Sequence, residues 1–237
     1  MTLKIETITV RNLIGSVNCY LIKADKSCIL VDTGLGGMRK ELLKKLEKSD
    51  DELENLKLII LTHGDFDHIG SAAFLRKKYG APIAMHQADS GMAELGDMFW
   101  NRKKPNIFMK GLAETLFKLN KSDRFLADIF VDEGFDLSKY GISAKILHIP
   151  GHSAGSIGVL TSDGSFFCGD LLENRFKPAL NSIMDDKEAA QASLEKIMGL
   201  NINTVYPGHG RPFSLEQFLE KNRQQGMPAF STAPSAG

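Results

Sequence analysis

The chain lacks a charge surplus, a long apolar run and a full set of cysteines, and each absence removes a class of function. Lys plus Arg and Asp plus Glu both number 29 in 237 residues, so the net charge is zero. Nothing here argues for nucleic acid or an anionic membrane surface as a partner. No window offers the roughly 20 apolar residues that cross a bilayer. The first residues, MTLKIETITV, lack the apolar centre of a secretion signal. Cysteine occurs three times, an odd number that rules out a complete disulfide framework. Cys19, Cys28 and Cys168 each sit in apolar, strand-like text and read as small core residues in a reducing cytoplasm.

What is present is ordinary α/β text. LKIETITV, VNCYLIKA and SCILVD read as strands, being rich in apolar and β-branched residues. Gly34, Gly36 and Gly37 break the pattern, and MRKELLKKLEK comes next with Leu42, Leu43 and Leu46 at helical spacing. LKLIILT is a wholly apolar strand, IGSAAFLRKKYG a helix with a glycine stop, and APIAMH another strand. Residues 90–130 change character. They hold the one tryptophan, several Met and Phe residues and Pro105, and read as a helical insertion that either packs its own core or covers a pocket. From about residue 142 strands resume (ISAKILHI, SIGVLTS, SFFCGD). A helix in MDDKEAAQASLEKIMGL, a strand at NTVYP and a last helix in SLEQFLEKNRQ complete the series. One domain over residues 1–223 and a frayed tail over 224–237 are expected.

The segment LTHGDFDHIG concentrates chemistry. His63, Asp65, Asp67 and His68 fall within six positions, directly after a buried strand, where α/β folds collect ligands. Imidazole nitrogens and carboxylate oxygens are the donors that bind transition metals. Three later segments repeat the theme of an isolated His or Asp beside glycine at a strand end: IPGHSAGSIG with His152, FFCGDLLEN with Asp170, and VYPGHGRPF with His209. Seven candidate metal ligands result. His86 reads as a capping or surface residue and His148 as structural. Gly34, Gly36 and Gly37 do not form a phosphate loop, because the Lys-Ser/Thr ending is missing.

The set VDTG at 31–34, THGDFDH at 62–68, GHS at 151–153, GD at 169–170 and PGHG at 207–210 resembles the metallo-β-lactamase superfamily in order and spacing. The resemblance implies an αββα sandwich and two divalent metal ions, zinc first, with iron or manganese as alternatives. It implies that His63 and His152 bind the first metal, that Asp67, His68 and His209 bind the second, and that Asp170 bridges both. Asp32 looks like the family's aspartate that orients ligands without binding. The sequence departs from the H-x-H-x-D-H pattern at Asp65, where a histidine is usual. Ligation by Asp65 is an expectation from its position, not a match. A carboxylate there lowers the summed charge of the centre from about +1 to about 0, which should acidify bound water less. It also tilts the donor set toward harder metals.

These features imply a metal-dependent hydrolase that uses a metal-bridging hydroxide on an ester, lactone or thioester. Asp67 would orient the attacking water and take its proton. The substrate is expected to be a small, partly apolar molecule, given the apolar 90–130 segment. Two alternatives stand beside this reading. One is a di-iron oxidoreductase reducing oxygen or nitric oxide from a separate electron donor. The related flavodiiron oxidoreductases carry a glutamate at the place of Asp65, though their flavodoxin domain has no counterpart in these residues. The other is a metal-binding sensor with little turnover.

Overall fold

Period-two alternation along the strands decides the layering. In Ser16–Ala24 the side chains of Cys19 and Leu21 enter one apolar cluster while those of Tyr20 and Ile22 enter another. Cys28 and Leu30 part from Ile29 and Val31 in the same way in Ser27–Val31. A strand can serve two cores only if both of its faces are covered. The computed structural model, which describes residues 3–12, 15–49, 53–102 and 119–224, bears this out.

The first sheet runs in spatial order β1 (Lys4–Arg11), β2 (Ser16–Ala24), β3 (Ser27–Val31), β4 (Leu56–Ile60), β5 (Ile83–Met85) and β6 (Ile129–Phe130). The second runs β13 (Phe213–Ser214), β12 (Thr204–Pro207), β9 (Ser165–Gly169), β8 (Ile157–Thr161) and β7 (Ala144–His148). A small ribbon pairs β10 (Leu172–Glu173) with β11 (Ala179–Leu180). Tyr20, Ile22, Leu58, Ile60, Val159 and Phe167 fill the space between the sheets. Helices α1 (Arg39–Ser49) and α3 (Ala72–Tyr79) press Leu42, Leu46 and Leu75 on the outside of the first sheet. Helices α5 (Lys187–Met198) and α6 (Leu215–Gln224) cover the second with Leu194, Ile197 and Phe218. The expected αββα sandwich is present. No helix among the described residues is long and apolar enough to cross a membrane.

Two expectations need correction. The segment read as one helix after His68 is two, α2 (Phe66–Ile69) and α3, broken at Gly70 and Ser71. A continuous helix would need the His68 carbonyl to accept from Ala72. That oxygen instead accepts from Thr33 N at 2.7 Å and Thr33 Oγ1 at 2.8 Å. Gly70 also lies so close to Gly36 that a Cβ would come within 2.4 Å of its backbone nitrogen. The 90–130 insertion is the second case. Helix α4 (Gln87–Leu95) covers its start, but residues 98–101 are turns and Ile129–Phe130 joins the first sheet as β6. Sheet pairing with β5 overrides the helical appearance of that end. Residues 103–118, the middle of the expected 90–130 lid, and the expected tail apart from Gln224, which ends α6, lie outside the described residues.

Two contacts between the sheets hold the ligand-bearing loops. Tyr20 Oη donates to the Pro207 carbonyl at 2.6 Å, and Asn18 Nδ2 donates to Pro207 and Gly210 carbonyls. Strand β2 thus grips the PGHG loop of the opposite sheet. Ile157 N donates to the Thr62 carbonyl at 2.8 Å, which fixes β8 against the end of β4.

Candidate metal centre

The seven candidate ligands meet at one edge of the sandwich, where β4, β9 and β12 end. His63, His152 and Asp170 present donor atoms within 4.8 Å of one another, and so do Asp67, His68 and His209. Asp170, already one of the first group, also reaches the second: Oδ1 is 3.5 Å from His68 Nε2 and Oδ2 is 3.3 Å from His209 Nε2. Asp67 Oδ2 stands 3.4 Å from His209 Nε2 and 3.7 Å from His68 Nε2. Asp65 Oδ2 joins the first group, 3.0 Å from His152 Nε2 and 3.8 Å from His63 Nε2.

All four imidazoles are oriented from behind through Nδ1. His68 Nδ1 donates to Asp32 Oδ2 at 2.9 Å. His152 Nδ1 donates to the Ile183 carbonyl at 2.8 Å and His209 Nδ1 to the Ser16 carbonyl at 2.6 Å. Thr62 Oγ1 gives its proton to Asp32 Oδ2, so its 2.9 Å contact with His63 Nδ1 must be one it accepts. Each Nδ1 therefore carries a proton, and each Nε2 is the atom turned inward. This is the pattern by which metal-binding histidines are held. His63 Nε2, His68 Nε2 and Asp170 Oδ1 are buried without a hydrogen-bond partner. Such orphaned groups are costly unless a ligand completes them, and a cation does so for lone pairs of this kind. The residues fit two transition-metal ions.

The electrostatics agree. Burial opposes charge on His209, but Asp170 and Asp67 outweigh it and raise its pKa to about 11. Against its burial, His68 is raised to about 9 by Asp170, Asp67 and Asp32. His152, equally against its burial, is raised to about 9 by Asp65 and Asp170. His63 goes the other way, lowered by burial and by the neighbouring His68 and His152. Asp170 is held well below the usual carboxylate range: burial works to raise it, but His209 and His68 prevail. Carboxylates that hold protons this tightly on the imidazoles beside them also attract cations.

Space is shaped for the same purpose. At Gly208 a Cβ would sit 2.3 Å from Asp170 Oδ1 and 2.6 Å from His68 Cε1, so only glycine lets the PGHG loop approach this closely. Asp32, with φ of +61°, adopts a left-handed backbone that non-glycine residues seldom take. In that conformation its carboxylate also accepts from Thr62 N.

Several supporting residues were not singled out in the sequence. Asp89, on α4, is fully buried and accepts from Gly64 N, Ser153 Oγ and Gly155 N at 2.6–2.9 Å. It ties the loop carrying His63 to the one carrying His152. Arg102 places Nη1 2.5 Å from Asp65 Oδ1 and Nε 2.7 Å from Asp185 Oδ2. Asn181 Nδ2 reaches Asp170 Oδ2 at 3.4 Å. Acidic and basic residues on a helix start or a turn look like solvated surface in sequence, and only the fold turns them inward. His86 does cap α4, its Nδ1 accepting from Ala88 N, and stacks on His148 with centroids 4.4 Å apart. Neither enters the groups formed by the seven. Glu173 pairs with Arg175 at 3.0 Å.

A cleft of ≈ 80 Å³ opens beside Asp67 and His209. Val17, Leu35 and Met38 supply its apolar wall, and Arg175 and Asn12 also line it.

Comparison with known proteins agrees with this geometry. The metallo-β-lactamase superfamily profile matches residues 13–209. Hydroxyacylglutathione hydrolase GloC of Haemophilus influenzae is 30% identical over 212 residues, spanning 86% of this chain and 91% of that protein. A solved structure of TTHA1623 in a di-iron-bound form is 26% identical and superposes with a TM-score of 0.70 over 90% of this chain and 96% of its own. The B3 metallo-β-lactamase BLEG-1 superposes with a TM-score of 0.73 over 94% and 100% of the two chains. At 23% identity it speaks to the fold alone. With the profile covering most of the sequence and the ligand-bearing loops gathered at one edge of an αββα sandwich, the chain belongs to the metallo-β-lactamase superfamily.

Proposed function

We propose that this chain is a metal-dependent hydrolase of acyl bonds, with a thioester as its favoured substrate class. The observation that carries the proposal is the set of four inward Nε2 atoms, each fixed by an acceptor on Nδ1, converging with aspartate oxygens beside a cleft. His63, Asp65 and His152 would hold one divalent cation, Asp67, His68 and His209 the other, with Asp170 shared. When bound, such a pair supplies a water acidified for attack and polarises the acyl oxygen.

The chain's own residues supply the rest. Asp67 lines the cleft and is the group placed to orient the attacking water and take its proton. Val17, Leu35 and Met38 offer an acyl chain an apolar wall. Asp32, Thr62 and the carbonyls of Ser16 and Ile183 keep the imidazoles aimed.

Two points favour a thioester over an oxygen ester. A thiol has a pKa near 8.5, so a thiolate leaves without a proton donor, whereas an alkoxide needs one. Among the described residues lining the cleft, Asp67 is the one carboxylate, and it is already engaged as base. The Haemophilus influenzae relative also bears the name of a hydrolase that acts on a glutathione thioester.

The test is a hydrolysis panel run on the zinc-loaded and the iron-loaded chain, with S-acyl glutathiones, aryl esters and lactones as substrates. Thioester cleavage abolished by a chelator and by D67N is expected. Failure of every acyl substrate under full metal loading would sink the proposal. A di-iron oxidoreductase is the second reading, favoured by the extra carboxylate of Asp65 beside His152. Oxygen consumption by the iron-loaded chain with a chemical reductant, in the absence of hydrolysis, would establish it instead.

A further inference from the structure

The carboxylate of Asp65 is divided between two tasks. Oδ2 faces His152 Nε2 at 3.0 Å and His63 Nε2 at 3.8 Å, the side on which the first cation would sit. Oδ1 faces away, onto Arg102 Nη1. Arg102 is itself anchored: its side chain is 8% exposed, Nε lies 2.7 Å from Asp185 Oδ2, and Nη2 donates to the His152 carbonyl at 3.4 Å. One guanidinium therefore touches the side chain of one donor of the first group and the backbone of another.

We propose that Arg102 is the positioning residue that makes Asp65 a ligand of the first metal. It grips Oδ1 so that Oδ2 is presented to His63 and His152, and it offsets the negative charge that a carboxylate brings to this place. The physical need is specific to this sequence. Asp is shorter than the histidine of the usual motif, and its two oxygens are equivalent until something distinguishes them. A buried guanidinium with a fixed fork of donors does so, and lysine, a point charge on a flexible stem, does so poorly. Asp185 Oδ2, 2.7 Å from Nε, balances the guanidinium's charge without a hydrogen bond from that nitrogen. Residues 97–102 and the loop 181–186 are thereby joined to the first metal position. The inference rests on the metal-centre reading above but concerns only how this chain completes that position.

Cobalt(II) titration of the metal-free full chain, followed by its visible spectrum, tests this without any turnover. The wild type should take up two equivalents. R102M should keep one equivalent at wild-type affinity and bind the other 10–100-fold more weakly, the usual effect of removing a group that supports a ligand. R102K should lie between. D65H alone should also be weakened, because an imidazole would face the guanidinium with no charge to meet it. The double variant D65H/R102M should bind both equivalents tightly again.

Two tight equivalents in R102M overturn the proposal. So does D65H binding as tightly as D65H/R102M. Should R102M fail to fold, as judged by circular dichroism, R102K decides, and wild-type affinity there overturns it. Absence of any cobalt binding by the wild type overturns this inference together with the proposed function, whereas indifference of the Arg102 variants overturns this inference alone.

Discussion

Asp32 Oδ2 accepts the Nδ1 proton of His68 at 2.9 Å, with both groups buried and Asp32 in a left-handed backbone conformation. The same carboxylate accepts from Thr62 N and Thr62 Oγ1. One residue at the end of β3 therefore aims His68 directly and His63 through Thr62. Replacing Asp32 by Asn turns one acceptor into a donor facing other donors. D32N should weaken binding of the metal at His68 on the order of 10–100-fold. It should also destabilise the metal-free chain by about 1–3 kcal/mol. Chelator competition and urea unfolding measure the two effects. An unchanged affinity would show that His68 needs no such support.

Asp89 makes a comparable case at the first metal position. It accepts from Gly64, Ser153 and Gly155, joining two loops with no covalent connection nearby. D89N would place an amide donor against at least one of those donors. The expected loss is about 2–4 kcal/mol in urea unfolding, in the range for breaking a buried charged network. A loss under about 0.5 kcal/mol, typical of surface sites, would contradict this role.

Gly208 supplies a steric prediction. G208A drives a methyl group to within 2.3 Å of Asp170 Oδ1, so Asp170 or the loop must move. Overpacking of this kind costs about 1–3 kcal/mol. Because the displaced atom belongs to the shared aspartate, metal content after gel filtration should fall while the far-ultraviolet spectrum stays the same. Full metal content in G208A would mean the loop yields instead.

The raised histidines set a pH dependence with a definite sign. His68 and His152 titrate at about 9 and His209 at about 11 in the metal-free chain, above the ordinary 6.5. Their protons stabilise that form fully below about pH 6.5, and this stabilisation is lost as pH rises through 9 and 11. Ligation needs the neutral imidazole, so metal binding gains as those protons leave. The Tm of the metal-free chain should therefore fall between pH 7 and 10. Its increase on adding zinc should grow over the same interval. Calorimetry with chelator and with zinc checks both, and an increase that shrinks toward pH 10 would reverse the account.

Much of this was legible in the sequence, for physical reasons that differ by feature. The individual strands showed as runs of apolar and β-branched residues, while their arrangement as an αββα sandwich was legible only through the resemblance carried by the five motifs. The ligands showed because His152, Asp170 and His209 each come after a buried strand and adjoin a glycine, a combination that core residues and surface loops rarely share. The supports did not show. Two of the four Nδ1 acceptors are the backbone carbonyls of Ser16 and Ile183, which no side chain marks. Asp89 reads as an ordinary acid in the first turn of a helix, and Arg102 as one basic residue in a run of three. The break at Gly70 was hidden because Thr33, 35 positions from His68, takes the carbonyl that a longer helix would need.

The central claim is that Asp65, His63, His152, Asp67, His68, His209 and Asp170 together hold two cations. Zinc titration of the metal-free full chain at neutral pH, with the bound metal counted after gel filtration, tests it most directly. Two zinc ions per chain, with one lost in H209A, is the expected result. A wild-type chain that retains none, with zinc in excess and the fold intact, would contradict it.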